Sequence, residues 1–235
     1  MVSRQASLVA AGLVAAALVV ASVLLAACAP AVRPRPVADP VARASARLGS
    51  PDLDERLAGV HELEGLMRRY RSPHQPAVMR ALSAFVRARA TGCGHAGPAE
   101  DVEVALSVLR HRDPARDGGT VMDLHGACLA GIVMTYTNLA PANLRGADLT
   151  GATLAGMALS GGNLAGARLT AANLRQSVLA GADLTDADLD GADLSRVRWS
   201  DDTQWPPEYE QPVLGASTVD GAGYVIGELR LPGRQ

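Results

Sequence analysis

From Met122 to about Ser200 a bulky apolar residue falls at every fifth position. The series runs Leu124, Leu129, Met134, Leu139, Leu144, Leu149, Leu154, Leu159, Leu164, Leu169, Leu174, Leu179, Leu184, Leu189, Leu194 and Trp199, sixteen units without a break in register. Two places before most of them stands a small residue, as at Ala127, Ala142, Ala147, Ala152, Gly162, Ala167, Ala172, Ala182, Ala187 and Ala192. Asp or Asn often immediately precedes the Leu, and in most units Gly follows two places after it. A period of five fits neither an amphipathic helix nor a half-buried strand. A fixed period marks a repeat architecture. One unit is too short to bury anything alone. The pattern therefore predicts a short extended side with the small residue and the Leu pointing inward, then a corner, where Gly accepts positive φ.

If four units, with four corners, close one turn, successive turns stack at strand spacing, and four turns rise roughly 19 Å. Interior columns then read Leu124, Leu144, Leu164, Leu184 and Leu139, Leu159, Leu179, Trp199. The stretches "ANLRGADLTGATLAG" and "GADLTDADLDGADLS" resemble the pentapeptide-repeat family, over about a third of the chain. The resemblance implies a right-handed quadrilateral β-helix. Period and inward residues come from the spacing; handedness and four-sidedness come from the resemblance. The expected fold is mainly β, with about four coils of this β-helix over 121–200. A small three-helix unit and an N-terminal apolar helix precede it.

The stretch 51–113 carries helical spacing. Ser50-Pro51 is a start signal, with Ser as N-cap and Pro at the first position. Leu53, Leu57, Val60, Leu63, Met67 and Tyr70 then share a face. Ser72-Pro73 repeats the signal, and a helix over Gln75 to Arg89 turns Val78, Leu82, Phe85 and Val86 inward. "TGCGHAGP" is a glycine-rich loop. A third helix from Glu100 to about Arg110 has Val102, Leu106 and Leu109 on one face. The stretches "ERLAGVHELEGLMRRY", "HQPAVMRALSAFVRARA" and "EDVEVALSVLRHRDP" resemble a helical segment that precedes the coil in many bacterial pentapeptide-repeat proteins. It would cap the coil's open end, where unpaired backbone groups invite edge pairing. In 201–235, Trp205 and two prolines end the coil, and a weak tail follows from Gly215, with a short hairpin around Gly221–Gly223.

Ser7 to Ala27 is uncharged and rich in Ala, Val and Leu, and Arg4 precedes it. With the Leu25-Ala26-Ala27-Cys28 ending, 1–28 has the form of a secretory signal peptide. It resembles the lipobox of bacterial lipoproteins, which implies cleavage before Cys28 and lipid attachment to its sulfur. The competing reading is an uncleaved anchor. Arg33, Arg35, Arg43 and Arg47 follow the apolar run, which favours a cytoplasm-facing C-terminal part. Both readings place the chain on a membrane, the lipoprotein reading on the extracytoplasmic face. Residues 29–50, with Pro30, Pro34, Pro36 and Pro40, are expected to be an extended tether.

Net charge is −2, too near neutral to suggest a nucleic-acid binder. All 22 basic residues are Arg. Cys93, His95, His125 and Cys128 are donors that zinc accepts, but their spacing is not that of a strong zinc motif. Cys93 and Cys128 are also a candidate disulfide pair if the chain is exported. His61 and His74 are expected on the surface. No nucleophile elbow or phosphate-binding glycine loop is present, and no enzyme, cofactor or small-molecule substrate is expected.

Three outer features remain. One column reads Cys128, Asp148, Arg168, Asp188, a small charge ladder of low worth. Asp183, Asp186, Asp188, Asp190 and Asp193 crowd five acids into little more than two units, running on to Asp201 and Asp202. The plain reading of this run is solubility. The sharper one is nucleic-acid mimicry, since some pentapeptide-repeat proteins occupy the DNA site of type II topoisomerases. Against it stand the short coil, the interspersed Arg145, Arg168, Arg175, Arg196 and Arg198, and the helical unit. The third feature is an uncharged face of Asn138, Ala158 and Val178 with Ala140, Ser160 and Ala180, where the helical unit or a partner would dock. Together these features predict a membrane-tethered, non-enzymatic scaffold with an unidentified protein partner. The alternative is a cytoplasm-facing topoisomerase-binding mimic.

Overall fold

The structure is a computed structural model that describes residues 39–69, 73–93, 97–221 and 223–233. Four helices precede the repeats: α1 (Pro40–Arg47), α2 (Leu53–Arg68), α3 (Gln75–Arg89) and α4 (Glu100–Arg110). A 3-10 turn follows at Pro114–Arg116. After the repeats come α5 (Pro207–Gly215) and two strands, β4 (Ser217–Asp220) and β5 (Gly223–Ile226). These elements lie within one compact unit, Asp39–Gln235.

Two expectations about the helical part change. The stretch from Asp39 is helical and not an extended tether, so four helices stand where three were expected. The Asp39 carboxylate accepts the Val41 N–H at 3.0 Å, and Pro40 sits at the helix start, where its missing N–H costs nothing. Val41, Ala44 and Leu48 are buried. Gly59 of α2 lets α1 lie close, because a Cβ there would stand 2.9 Å from the Arg47 Cβ and 3.0 Å from the Ala44 carbonyl oxygen. α2 is capped by Asp52, whose side chain accepts the Glu55 N–H, rather than by Ser50. On α2, Val60, Leu63 and Met67 are buried while Leu53 is exposed; Tyr70 lies outside the described residues.

In the repeats every ladder Leu, from Leu124 to Leu194, is at most 2% exposed. Parallel bridges join each bridging position to the one four units further on, along four columns, for example Cys128 to Asp148 to Arg168 to Asp188, and Asn138 to Ala158 to Val178 to Arg198. The Leu144 N–H donates to the Asn163 carbonyl at 2.7 Å, and the Asp148 N–H to the Ala127 carbonyl at 3.0 Å, so each turn is bonded to the turns before and after it.

The mainly β expectation, with its right-handed quadrilateral β-helix, is nevertheless corrected. Only 15% of the chain is strand, and the described residues hold five α-helices and no solenoid of strands. β1 (Met122–Asp123) and β2 (Ala142–Asn143) pair in parallel; β3 (Arg198–Trp199), β5 and β4 form a three-stranded antiparallel sheet. The cause lies in the unit itself. Nearly every ladder Leu carbonyl accepts an N–H three places on, as from Ala147 to Leu144 at 3.0 Å; Leu139, followed by Ala140-Pro141, does not. Gly146 then takes φ +62°, with the same turn at Gly151, Gly166 and Gly181. Extended backbone is interrupted in every unit, so most pairing is confined to single bridging residues. The predicted N-terminal apolar helix lies outside the described residues.

The Asp or Asn before each Leu also has a structural reason. Its side chain accepts the N–H two places on, at 3.0 Å from Thr150 to Asp148, 3.0 Å from Ala165 to Asn163 and 2.9 Å from Thr185 to Asp183. These local bonds pin the corner.

Both ends of the stack are closed. At the first turn the Cys128 N–H donates to the Ala90 carbonyl of the α3 C-cap at 2.7 Å. Arg87 donates to the Asp123 carbonyl at 3.0 Å. Arg112, its side chain 1% exposed, donates to the Asn138 and Ala140 carbonyls at 2.5 and 3.1 Å and to Asp117 at 2.9 Å. Gln75 holds Asp117 from the other side at 2.7 Å. At the far end the ladder slips by one position, with Asp183 bridging Gln204 where the regular step would reach Thr203. Thr203 fills the slip, donating to the Leu179 carbonyl at 3.0 Å and accepting the Gly181 N–H at 3.2 Å. The expected weak tail is an integral cap. β5 pairs with β3, and the chain then runs along the last turn. The Leu194 N–H donates to Leu229, and the Leu231 N–H to Ala192, both at 2.9 Å. Trp199 stacks on Tyr224 at 4.4 Å and meets Trp205 edge-on at 6.0 Å.

Ala171 takes φ +56° where most units have Gly. Ala171→Gly is expected to stabilise the fold by about 0.5–1 kcal/mol, and Gly146→Ala to destabilise it by about 1 kcal/mol, both read by chemical denaturation. Arg112→Met keeps the bulk but removes the charge partner of Asp117, which keeps only the Gln75 amide, and the donor of two carbonyls, with an expected loss of about 3–5 kcal/mol by the same measurement.

Candidate functional site

Cys93, in the loop after α3, and Cys128, in the first turn, are joined by a disulfide with Cα atoms 5.3 Å apart. It ties the helical part to the stack beside the Ala90–Cys128 backbone bond. His95 lies outside the described residues. His125 is not among the groups gathered at the sulfurs; its Nδ1 lies 2.8 Å from Asp123 Oδ1. The third group beside the sulfurs is Asp148, within 4.8 Å of both. His61 is exposed and His74 half-buried at the start of α3.

Cys28, the predicted lipid-attachment residue, lies outside the described residues, as does the apolar run 7–27. The membrane-anchored localisation is corrected: among the described residues no helix is long and apolar enough to cross a membrane. Neither lipid attachment nor an apolar anchor draws support from the described fold.

The charge ladder is half formed. Arg168 pairs with Asp148 at 3.0 Å, while Asp188 takes the Thr170 hydroxyl at 3.0 Å. The acidic run is largely turn chemistry. Asp183, Asp188 and Asp193 each accept the N–H two places on. Asp193 also pairs with Arg175 at 3.3 Å, and Asp190 is buried under the Tyr209 hydroxyl at 2.5 Å. These four carboxylates are tied to the fold, while Asp186, Asp201 and Asp202 of the same run are exposed.

The uncharged face forms as a column, with Asn138, Ala158 and Val178 bridged in register. The helical unit meets the end of the stack through Ala90 and Arg87, and it touches this face at its first turn, where Arg112 donates to the Asn138 and Ala140 carbonyls. At the corner leading into the face stands Tyr136, 75% exposed at φ +51°. Its ring lies over Gly156, and its hydroxyl reaches the Gln176 side chain at 3.2 Å. The side chain therefore spans three turns. Val133, 65% exposed, lies on the preceding side. Sequence reasoning missed Tyr136, although a Tyr at a corner where other units carry Gly was a visible departure.

Residues 127–166 and 163–198 match the family model described as pentapeptide repeats, in eight copies. The stacked segment is made of pentapeptide repeats. Among solved pentapeptide-repeat structures, HetL, involved in heterocyst differentiation regulation in the cyanobacterium Nostoc sp. strain PCC 7120, is 38% identical. That match covers 31% of this chain and 36% of HetL, with a TM-score of 0.27. A pentapeptide-repeat protein of the Arabidopsis thaliana thylakoid lumen is 30% identical over 35% of this chain and 61% of its own, with a TM-score of 0.28. Rfr23 of the cyanobacterium Cyanothece is 28% identical over 41% and 78%, with a TM-score of 0.20. The chain thus spans little more than a third of HetL and about three-fifths of the Arabidopsis protein. No curated protein matches this chain.

Three carboxyls on the stack are held below their ordinary range. Burial opposes the ionisation of Asp123, Asp148 and Asp193. Bonds from His125, Thr150 and Ser195, with the charges of Arg87, Arg168 and Arg175, together outweigh it. A depressed carboxyl stabilises the fold above its unfolded-state pKa, about 3.9, and that stability is lost as pH falls through the folded value. The melting temperature is therefore expected to drop as pH falls below about 4, and Asp193→Asn to make that drop shallower, followed by circular dichroism across a pH series.

Proposed function

We propose that this chain is a non-enzymatic scaffold that presents the uncharged face of Asn138, Ala158 and Val178, edged by Tyr136, to a protein partner. Pentapeptide-repeat proteins are in general interaction scaffolds rather than enzymes. The observation that carries the reading is Tyr136. A large aromatic, three-quarters exposed, is laid over Gly156 of the next turn and fixed by its bond to Gln176 of the turn beyond. Tyrosine held in one rotamer beside small residues has the character of an interface anchor, because it offers contact area at low entropic cost. Both ends of the stack are covered by other parts of the same chain, which leaves the sides for contact. The topoisomerase-mimic reading has no comparable support, since most of the acidic run serves the turns.

The test places charge on the face without touching the core. Ala158→Arg with Val178→Arg, and separately Tyr136→Ala, are expected to weaken capture of a specific partner by tenfold or more, at about 1.4 kcal/mol per tenfold. Circular dichroism should stay unchanged. An unchanged partner set in co-purification would remove this face from the account.

A further inference from the structure

The groove beside the disulfide gathers three side chains that are also metal donors. Cys93 Sγ, Cys128 Sγ and an Asp148 carboxylate oxygen lie within 4.8 Å of one another. Cys93 is exposed and belongs to a loop without helix or strand; Cys128 and Asp148 sit on successive turns, fixed by their backbone bridge. In a tetrahedral site with metal–sulfur bonds of about 2.3 Å and metal–oxygen bonds of about 2.0–2.2 Å, donors stand roughly 3.5–3.8 Å apart. With the S–S bond open, a small shift of the Cys93 and Asp148 side chains brings the three groups to that spacing. A shallow groove of about 630 Å³, lined by Cys93, Gly131, Asp148, Thr150, Arg168 and Asp188 among others, leaves room for a fourth ligand such as water.

We propose that reduction of the Cys93–Cys128 disulfide converts this staple into a binding site for a thiolate-seeking divalent cation of the zinc class, with Cys93, Cys128 and Asp148 as ligands. The chemistry balances with a dithiol reductant. One of its thiolates attacks the exposed Cys93 sulfur, the S–S bond breaks, and Cys128 leaves and takes a proton. The second thiolate displaces Cys93, which also takes a proton, and the reductant departs as its own disulfide. The cation then replaces the two thiol protons. Without a cation, the Asp148 carboxylate disfavours two thiolates beside it; with one, the three anionic ligands share a dication. Arg168, now paired with Asp148 at 3.0 Å, has a side chain 61% exposed, so water solvates its guanidinium when Asp148 turns to the cation. In either redox state the helical part stays fastened to the stack, through sulfur–sulfur or through metal.

The test uses the full chain with Cys28→Ser, so that thiol signals come only from Cys93 and Cys128. After phosphine reduction and removal of the phosphine, Co²⁺ is titrated and then displaced by Zn²⁺. One equivalent of Co²⁺ with thiolate-to-metal charge transfer and tetrahedral visible bands is expected, with none for the oxidised chain. Asp148→Asn keeps the acceptor for the Thr150 N–H and is expected to weaken binding by about tenfold or more; Cys93→Ser should abolish the charge-transfer band. The absence of a thiolate spectrum in a reduced chain overturns the proposal. So does equal affinity in Asp148→Asn, or a fold lost on reduction that Zn²⁺ does not restore in circular dichroism.

Discussion

Everything in the repeat segment depends on keeping one leucine in five pointing inward while the backbone still finds a partner at every turn. A bulky side chain and a small one share the interior of each unit, so the chain must change direction before the next pair arrives. The change of direction needs a residue in the left-handed region, and the bond to the next turn needs the same column position to recur four units on. The small residue, the Leu, the corner residue and the Asp or Asn that ties the corner all answer that one demand. Several non-glycine residues, Gln176 and Arg196 among them, are held at positive φ, and the surrounding ladder must sustain them.

The same demand decides which features the amino-acid pattern reveals. The interior ladder was legible because burial acts on side-chain type at fixed spacing; every predicted Leu is in the core. The boundaries of α3 and α4 were legible from apolar spacing. The amount of regular strand was not. Inward and outward alternation looks the same whether the backbone pairs over several residues or at one, and the turn bond that limits pairing leaves no composition signal beyond the glycine. α1 was hidden by proline, which reads as extended until Asp39 is seen capping the helix that Pro40 begins. The final strap from Leu229 to Pro232 was hidden because it is held by backbone bonds, to which almost any sequence contributes equally.

The candidate site divides in the same way. The uncharged column was visible as a run of small residues recurring every fourth unit. Tyr136 required knowing that a corner side chain lies forward along the stack, over Gly156 and toward Gln176. Asp148 joined the two cysteines only through the stacking of turns, since it stands a full turn beyond Cys128 and further still from Cys93 along the chain. Arg112 illustrates a buried charge whose partners are mostly main chain. Its sequence neighbourhood looks like an ordinary helix end, and only the end of the stack supplies the carbonyls that give it a place.

The slip between Asp183 and Gln204 has a consequence for how such a chain can vary. The first turn is fitted to particular helical residues, and the last turn to β5 and the terminal strap. The two fittings therefore share a fixed phase along the stack. Lengthening by four units at a time would preserve that phase and merely separate the two lids. Adding a single unit would leave the interior equally well filled yet turn one lid relative to the other, bringing the wrong side of the stack to each. The molecule packs unit by unit, but it can grow only by complete turns.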